Sequence, residues 1–426
     1  MHELPNDIIV NAVQAHHPHA VDLLKRLVAC PSTVGHESVA QLVILEELDR
    51  LGFDTEQISI PDNISADPAA GIPQQSYDGR FNVVGRTPPT GRSRLLINGH
   101  IDVVPAEPST WTTDPYTPVV DGGHLYGRGA GDMKGGFAMA LLALAALRSI
   151  SSELVSHDLA VVSVIEEECT GNGTLASLKS GVDADAVLLP EPTQLGLLLG
   201  GIGVTWVDIR LGFAGGHAES SDRLEHPMDV LVDVVRELAN VERSYNVAPP
   251  SAFAGISQPY NVNVGIVTAG NWPSSVPSSL VLRVRVGHPG SASHQDVLAE
   301  IDACVNRVLA SRQLPETTAT VQPSGFRAQE YLLNAHHPLV QALSEAHAGM
   351  HGTRPEPYVL GSTTDARYYV NQAQVPALCY GPRAFDIHGS NEHVDLASIA
   401  QGAATLAKFI SLYHQRNGLV GYEGGS

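Results

Sequence analysis

The chain has 426 residues, more than one hydrophobic core usually organises and enough for two domains of ordinary size. Hydrophobic residues make up 43% and charged residues 16%, which excludes a disordered, coiled-coil or fibrous chain. With 45 acidic against 25 basic residues the formal net charge is −20, so we expect no nucleic-acid partner and no polybasic membrane-binding face.

Three features of the sequence bear on the compartment. Residues 1–7 show no basic region followed by an apolar core, so we expect no secretory signal. The longest apolar run, Phe137–Leu147, is shorter than the roughly 20 residues that span a membrane, and it predicts a buried core helix. The four cysteines are far apart and form no CxxC pair, which favours neither a disulfide framework nor a zinc knuckle. A cytoplasmic protein is therefore expected.

The first half of the chain alternates helix and strand signals. Amphipathic stretches predict helices from about Ile8 to Ala29 and from His36 to Leu51, and Pro61–Arg80 is predicted to be a surface loop. Apolar segments then predict four strands and one helix, at Asn82–Gly85, Arg94–Asn98, Asp158–Ile165, Ala186–Leu189 and Lys134–Ile150 respectively. Strands separated by helices favour an α/β sheet with helices on both faces.

The pattern changes between about Leu211 and Pro323. The elements there follow the β-α-β-β-α-β order of a ferredoxin-like unit, at Val204–Phe213, Pro227–Arg243, Asn261–Thr268, Leu280–Gly287, Ser293–Ser311 and Thr318–Gln322. Helix and strand signals then resume, at Pro338–Met350, Ala366–Gln372, Pro376–Tyr380 and Val394–His414. We predict a discontinuous α/β domain, residues 1–210 and 324–426, with a mixed sheet flanked by helices. Residues 211–323 are predicted to be an inserted α+β domain.

Metal-capable side chains follow predicted strands at five places. His100 and Asp102 point to the same side of an extended chain, so the aspartate can orient a metal-binding imidazole, although an isolated pair of this kind is usually a surface pair. Asp132 lies in a glycine-rich turn, residues 127–136, whose backbone freedom suits a tightly shaped site. A helix N-cap is the alternative for Asp132, and a phosphate turn is a further one, although the spacing of phosphate-binding motifs is not met.

The remaining three places are acidic or contain histidine. Glu166, Glu167 and Glu168 follow a predicted strand directly, and three adjacent carboxylates repel one another unless a cation or a proton neutralises them; a solvated acidic turn is the alternative. Glu191 also follows an apolar strand, and His388 precedes the C-terminal helix. Each place alone is more often structural than functional.

The five places together predict a metal site, because strand ends of a parallel sheet meet at one edge. Imidazole and carboxylate ligands without thiolate suit zinc, cobalt or manganese. Two metals roughly 3.5–4 Å apart can share Asp132, each with one histidine and one further carboxylate. One glutamate then remains as a general base.

The chain resembles the di-zinc amidohydrolases and exopeptidases, a family that includes acetylornithine deacetylase, succinyl-diaminopimelate desuccinylase, aminoacylase and the glutamate-releasing carboxypeptidases. The resemblance covers nearly the whole chain. It rests above all on one block: Gly99-His100-Ile101-Asp102, Trp111, Asp114-Pro115, Asp121-Gly122, Tyr126-Gly127-Arg128-Gly129 and Asp132-Met133-Lys134-Gly135-Gly136. It implies a zinc-peptidase-like catalytic domain with an inserted domain that acts as a lid and in dimerisation.

The resemblance also implies roles for the site residues. One zinc would be held by His100, Asp132 and Glu191, and the other by Asp132, Glu168 and His388, with Asp132 bridging. Glu167 falls on the general base, Asp102 on the acid that orients His100, and the peptide bond after Asp132 is expected to be cis. The family's usual Asp-Glu-Glu is Glu-Glu-Glu here, and the glycines that follow favour Glu167 as the base over its neighbours.

Four positions on the substrate side follow from the same resemblance. His217 matches a histidine that reaches across a dimer to the partner's active site. Thr364 and Arg367 lie in the stretch Gly361–Arg367, which matches a substrate-side loop; the guanidinium of Arg367 suits a substrate carboxylate, with a structural salt bridge as the alternative. Relatives carry an asparagine just before a Val-Pro or Ile-Pro pair, where this chain has Ser275, and Asn271 stands four residues earlier.

The function implied is metal-dependent hydrolysis of an amide bond in an N-acyl amino acid or a related small N-acyl amine, as in acetylornithine deacetylase. In the implied mechanism two zinc ions, for which cobalt or manganese can substitute, would activate the attacking water, while Glu167 would move the proton and His217 of a homodimer partner would stabilise the oxyanion. An exopeptidase or dipeptidase is the alternative, and an inactive metal-binding scaffold is a further one. A nucleophilic hydrolase would need a G-x-S-x-G elbow, which the sequence lacks, and Ala40 breaks an H-E-x-x-H motif.

Overall fold

The structure is a computed structural model that describes residues 3–415. Its α-helices are α1 (Asn6–Val28), α2 (Ser38–Arg50), α3 (Gly135–Ile150), α4 (Asn172–Lys179), α5 (Pro227–Tyr245), α6 (His294–Ser311), α7 (Pro338–His351), α8 (Ala366–Tyr368) and α9 (Leu396–Gln415). Each helix that the sequence predicted begins within two residues of its predicted start. α4 was not predicted.

The strands form two larger sheets and two small ones. Up to residue 212 they are β1 (Asp54–Ser59), β2 (Phe81–Arg86), β3 (Leu95–His100), β4 (Val119–Asp121), β5 (His124–Tyr126), β6 (Leu159–Val164), β7 (Ala186–Leu189), β8 (Leu197–Gly201) and β9 (Gly203–Gly212). The later ones are β10 (Gly216–His217), β11 (Val262–Ala269), β12 (Ser275–Val276), β13 (Ser279–His288), β14 (Thr318–Ala328), β15 (Tyr331–Leu332), β16 (Pro357–Leu360), β17 (Ala377–Cys379), β18 (Ala384–Phe385) and β19 (His393–Asp395).

A nine-stranded mixed sheet is the centre of the fold, in the order β1-β2-β6-β3-β7-β17-β8-β15 with β16 beside β8. β3 pairs in parallel with β6 on one side and with β7 on the other. All three strands are buried at every position, which is typical of parallel strands covered on both faces. Their carboxyl ends therefore meet at one edge of the sheet.

Helix α3 lies in the core beside α1 and α9, and residues 135–147 are all buried. Among the described residues, Ala130–Ile150 is the one helical stretch with the length and hydropathy of a membrane span. Most of this stretch is buried inside the protein. The predicted core helix is confirmed.

A four-stranded antiparallel sheet, in the order β11-β13-β9-β14, forms the middle of the chain. α5 and α6 pack on one face of it, where alternate residues of β9 and β13 point inward. The element order is the ferredoxin-like one, and the strands extend to Gly203 and Ala328, beyond residues 211–323. The division into domains and the role of this part as a lid or in dimerisation stay predictions.

A small antiparallel sheet, in the order β18-β19-β5-β4, joins two segments that are far apart in sequence. His393 pairs with Tyr126 in its register, so the chain around residue 388 lies against the chain around residue 128. Neither pair of short strands was predicted, because two or three residues carry too little periodicity to be recognised.

The predicted loop Pro61–Arg80 is confirmed as irregular structure with one short 3₁₀ turn at Ile64–Ala66, but parts of it do not lie at the surface. Ile64, Ala70, Tyr77 and Arg80 are all buried. Composition alone did not show this, because Tyr77 and Arg80 are polar residues whose partners, described below, come from elsewhere in the chain.

Candidate metal centre

Five side chains meet at the carboxyl edge of the central strands. His100 ends β3, Glu168 follows β6 and Glu191 follows β7, which are the three adjacent parallel strands. Asp132 lies in the turn before α3, and His388 lies between β18 and β19. The peptide bond between Asp132 and Met133 is cis, as the resemblance implied.

Asp132 stands between the two histidines. Its Oδ1 lies 3.1 Å from His100 Nε2, and its Oδ2 lies 3.4 Å from His388 Nε2. Each histidine meets one more carboxylate: Glu191 Oε2 is 3.8 Å from His100 Nε2, and Glu168 Oε1 is 3.1 Å from His388 Nε2. The five side chains are therefore arranged as two sets that share Asp132.

Of the three consecutive glutamates, Glu166 points away from this cluster. Its carboxylate accepts hydrogen bonds from Arg80 Nη1 at 2.7 Å, from the Tyr77 hydroxyl at 2.6 Å and from the Thr170 hydroxyl at 2.7 Å. Arg80 also pairs with the buried Glu37, which completes a buried ionic network. Glu166 is thus occupied, and Glu168 is the neighbour that contacts His388.

Asp102 is fully buried and orients its surroundings in two ways. Its backbone carbonyl lies 2.9 Å from His100 Nδ1, while its carboxylate Oδ1 lies 3.7 Å from the same ring nitrogen. The carboxylate accepts the backbone N–H groups of Glu167 and Glu168, at 3.2 and 3.1 Å. The contact to His100 is therefore made mainly by the main chain, and the side chain holds the turn that carries both glutamates.

The cluster holds more acid than its histidines balance. Burial raises the pKa of Glu191 to about 8 and that of Asp102 to about 7, and burial with nearby carboxylates raises the pKa of Glu167 well above its ordinary value. The charge of Glu168 raises the pKa of His388 to about 11. Although burial opposes it, hydrogen bonding to both histidines lowers the pKa of Asp132. Acids and imidazoles thus share protons that a bound cation would displace.

The donor set fits divalent cations that bind nitrogen and oxygen. Ligand atoms of His100, Asp132 and Glu168 all lie within 4.8 Å of one another, and no cysteine is among the five side chains. Two imidazoles and three carboxylates suit zinc, cobalt or manganese. The four free cysteines are all buried elsewhere in the fold.

Arg367 and Thr364 are both buried on the substrate-side loop. The Arg367 guanidinium is 3% exposed, lies 3.3 Å from Asp365 Oδ1 and stacks over the Tyr368 ring at 4.5 Å. The Thr364 hydroxyl is 2.6 Å from the Tyr331 hydroxyl. Arg367 therefore makes the structural salt bridge that the sequence left as the alternative, and its contact with a substrate carboxylate stays a prediction.

His217 and Asn271 lie on the ferredoxin-like part, and none of their described contacts reaches the five ligands. His217 is on β10, opposite Ser275 of β12, and its side chain is 71% exposed. Asn271 is exposed in the turn between β11 and β12. Their roles at the site stay predictions.

Sequence reasoning missed Asp365, which lies beside the cluster. Asp365 is buried, its Oδ2 accepts the Thr174 hydroxyl at 2.6 Å, and its Oδ1 has the ion-pair contact with Arg367 but no hydrogen bond among the described residues. Burial raises its pKa. Its position two residues before Arg367, within a stretch already chosen as substrate-side, was the signal that could have identified it.

Comparison with known proteins places the chain in context. A sequence profile described as peptidase family M20/M25/M40 matches residues 96–412, about three quarters of the chain. N-formyl-4-amino-5-aminomethyl-2-methylpyrimidine deformylase of Bacillus subtilis is 28% identical over 93% of this chain and 95% of its own length. Succinyl-diaminopimelate desuccinylase of a Methylobacterium species is also 28% identical, over 93% of this chain and 96% of its own.

Among solved structures, the di-peptidase Dug1p of Saccharomyces cerevisiae superposes with a TM-score of 0.81. The match covers 96% of this chain and 98% of that one, at 16% sequence identity. At that identity the likeness concerns the fold alone.

Proposed function

The chain belongs to peptidase family M20/M25/M40, and from that premise we propose that it hydrolyses the amide bond of a small N-acyl amine with the help of two divalent cations. The observation that carries the proposal is Asp132, whose two carboxylate oxygens face two different histidines. Each histidine has one further carboxylate of its own. A single bridging carboxylate between two such sets is what a dinuclear centre needs.

The proposed cations are two zinc ions per chain, with cobalt or manganese as substitutes. His100 and Glu191 would hold one and His388 and Glu168 the other, with Asp132 shared. When bound, such ions polarise the amide carbonyl and lower the pKa of water. The same donor types, one imidazole and one carboxylate, lie on both sides of Asp132, which supports a pair of cations over a single one.

Glu167 is the proposed general base. Its backbone N–H is held by the Asp102 carboxylate, and its side chain is buried beside the metal-binding cluster. From there its carboxylate would take a proton from the attacking water and return it to the nitrogen of the leaving amine. Glu166 is excluded from this role because Arg80, Tyr77 and Thr170 occupy it.

His217 of a partner subunit is proposed to stabilise the developing oxyanion. His217 Nδ1 accepts the backbone N–H of Glu219 at 3.2 Å, which places the proton of the neutral ring on Nε2. The ring is exposed, so this N–H is free to donate to a group outside its own chain. A homodimer through the ferredoxin-like part would bring it to the other subunit's site.

The proposed substrate class is an N-acyl amino acid or a related small N-acyl amine. The two relatives described above are named for removing a formyl and a succinyl group, and each matches more than nine-tenths of this chain. Their shared chemistry is cleavage of an acyl group from a small amine. A dipeptidase of the same family is the alternative that a substrate screen distinguishes.

The test is amine release from N-acetyl, N-formyl and N-succinyl amino acids, an N-formyl aminomethylpyrimidine and dipeptides. We expect one of the N-acyl compounds to be cleaved, cleavage to stop with a chelator, and zinc or cobalt to restore it. Exclusive cleavage of dipeptides would favour the alternative. Amine release that persists after complete removal of the metal would contradict the proposal.

A further inference from the structure

Arg128 and Glu392 form a buried ion pair next to the metal centre without belonging to it. Arg128 Nη1 lies 2.6 Å from Glu392 Oε2, and both side chains are almost fully buried. Arg128 belongs to the sequence block that carries the family resemblance, but neither residue is among the proposed ligands or catalytic groups. The other hydrogen bonds of each residue indicate the role of the pair.

Glu392 holds the turn that carries Asp132. Its Oε1 accepts the backbone N–H groups of Gly131 at 2.9 Å and Asp132 at 3.0 Å, and its Oε2 accepts that of Gly129 at 3.0 Å. Together with Arg128, these contacts occupy both carboxylate oxygens. All described side-chain contacts of Glu392 thus go to Arg128 and to the backbone of this turn. The last residue of the turn that it binds is Asp132, the shared ligand.

Arg128 binds the loop of residues 386–391, which carries His388 and is called the His388 loop below. Its Nη2 donates to the backbone carbonyl of Gly389 at 3.1 Å and lies 3.4 Å from that of His388. The guanidinium also lies over the Trp111 ring, 5.2 Å from the centroid. The planar guanidinium thus contacts Glu392 through Nη1 and the His388 loop through Nη2.

The His388 loop needs such support. Asp386, His388 and Asn391 all have positive φ, of 53°, 61° and 61°, a region that costs free energy for residues other than glycine. The His388 side chain is 52% exposed, so packing does little to hold it. A second anchor is the Asn391 side-chain oxygen, which accepts the Thr112 backbone N–H at 2.8 Å.

We propose that Arg128 and Glu392 are a positioning pair that fixes the separation between the shared ligand Asp132 and the ligand His388, and so tunes the affinity for the second cation. The inference rests on the proposed function, since it assumes that the cluster binds two cations. The two residues should therefore differ in their effect on metal binding. Glu392 positions Asp132, the ligand shared by both cation sites, whereas Arg128 positions His388, a ligand of one site.

The experiment is a Co²⁺ titration of metal-free protein, followed by calorimetry and by the visible absorption of bound Co²⁺. Removing groups that orient metal ligands typically lowers affinity roughly 10- to 100-fold. We expect Arg128→Met to weaken one binding step by about that factor and leave the other unchanged, and Glu392→Gln to weaken both. Arg128→Lys should restore part of the loss, because an ammonium keeps the charge but not the fork.

A double variant identifies the step. His388→Ala should lose the same step that Arg128→Met weakens, so adding Arg128→Met to His388→Ala should lower the affinity of the remaining step little further. The matched control is Arg312→Met, which removes an arginine paired with Glu225 and Asp233 on the ferredoxin-like part and should leave both steps unchanged. If Arg128→Met does not fold, as judged by circular dichroism, Arg128→Lys and Glu392→Gln carry the same test.

Three results would overturn the inference in distinguishable ways. Wild-type protein that binds two Co²⁺ while Arg128→Met and Glu392→Gln bind both with unchanged affinity and spectrum would contradict the positioning role alone. Equal weakening of both steps in Arg128→Met would contradict the assignment of Arg128 to His388. Wild-type protein that binds fewer than two ions would contradict the proposed function and, with it, this inference.

Discussion

At the scale of single residues, the site depends on how neighbouring carboxylates are divided between tasks. Glu166, Glu167 and Glu168 are chemically identical, yet Glu166 is bonded to Arg80 and Glu168 faces His388. Glu167 is held through its backbone by Asp102 and has a buried side chain. The environment of each side chain, and not its type, decides its role.

Replacing Glu167 separates catalysis from metal binding. Glu167→Gln keeps the size of the side chain but removes the proton acceptor, so kcat should fall by roughly 10²- to 10⁴-fold. The metal content, measured by elemental analysis, should stay at the wild-type value because none of the five ligands is changed. Glu153→Gln, at an exposed glutamate after α3, is the matched control and should leave kcat unchanged.

A Glu167→Gln variant with near-wild-type kcat would show that another group moves the proton. Loss of metal in the same variant would show instead that Glu167 is a ligand.

Four of the five clustered side chains could be predicted from local sequence, because each ends or follows an apolar strand or lies in a glycine-rich turn; His388 was predicted from the resemblance and from its place before the C-terminal helix. What could not be predicted is which atoms make the contacts. Asp102 reaches His100 mainly through its carbonyl, and Arg367 forms an ion pair with Asp365 and lies over the Tyr368 ring. Such pairings depend on distances between segments far apart in sequence, which no local pattern encodes.

At the scale of elements, the turn after β6 is anchored from a distance. Arg80 joins Glu37 at the start of α2 to Glu166 at the end of β6, and all three side chains are buried. The sequence assigned Arg80 to a surface loop, because a polar composition is read as exposure unless the partners are known. Helix positions were predicted far better, because their periodicity is local.

Arg80→Met should therefore be strongly destabilising. It leaves two buried carboxylates without their cation, for which losses of about 3–5 kcal/mol are typical. The free energy of unfolding in urea is the measurement. Arg86→Met, which removes an exposed pair with Glu56, is the control and should cost less than about 1 kcal/mol. Equal effects of the two variants would contradict the importance of the buried network.

A second element-scale feature is the close approach of two strand ends at Glu191. A Cβ added to Gly381, just beyond β17, would lie 1.9 Å from the Glu191 carbonyl oxygen, so that main chain would have to move. Gly381→Ala should cost about 1–3 kcal/mol of stability and weaken the affinity for the cation next to His100. Calorimetric unfolding and Zn²⁺ titration measure the two effects.

The matched control is Gly349→Ala, on the exposed face of α7 with nothing within 4 Å of the added Cβ. The free energy of unfolding of this variant should be about 0.5–1 kcal/mol higher than that of wild type, which is the ordinary difference between alanine and glycine in a helix. If Gly381→Ala instead behaved like this control, the packing around Glu191 would be looser than the structure indicates.

At the scale of the whole molecule, the predicted dimer through the ferredoxin-like part would use an exposed sheet edge. β11 is an edge strand of its sheet, and Ile266 and Val267 on it are about half exposed. Unpaired apolar edge strands readily pair with another chain. A dimer of the 45.1 kDa chain would also give the exposed His217 side chain a partner outside its own chain.

Mixing two inactive variants tests whether His217 acts across the dimer. His217→Ala supplies an intact Glu167, and Glu167→Ala supplies an intact His217. If the histidine serves the partner's site, unfolding and refolding the mixture should restore about a quarter of wild-type activity, because half the dimers are mixed and each has one complete site. No recovery, or recovery without dimers in sedimentation, would contradict the trans arrangement.

The net charge of −20 also gains a local meaning at this scale. Most of the acids cover the surface, but Asp102, Asp132, Glu167, Glu168 and Glu191 gather at one edge of the central sheet, and two dications there would supply four compensating positive charges. The number of cations that the chain binds is therefore the decisive quantity. Elemental analysis of protein reconstituted with excess Zn²⁺ and then desalted should give about two zinc ions per chain. A ratio of one or less would contradict the account.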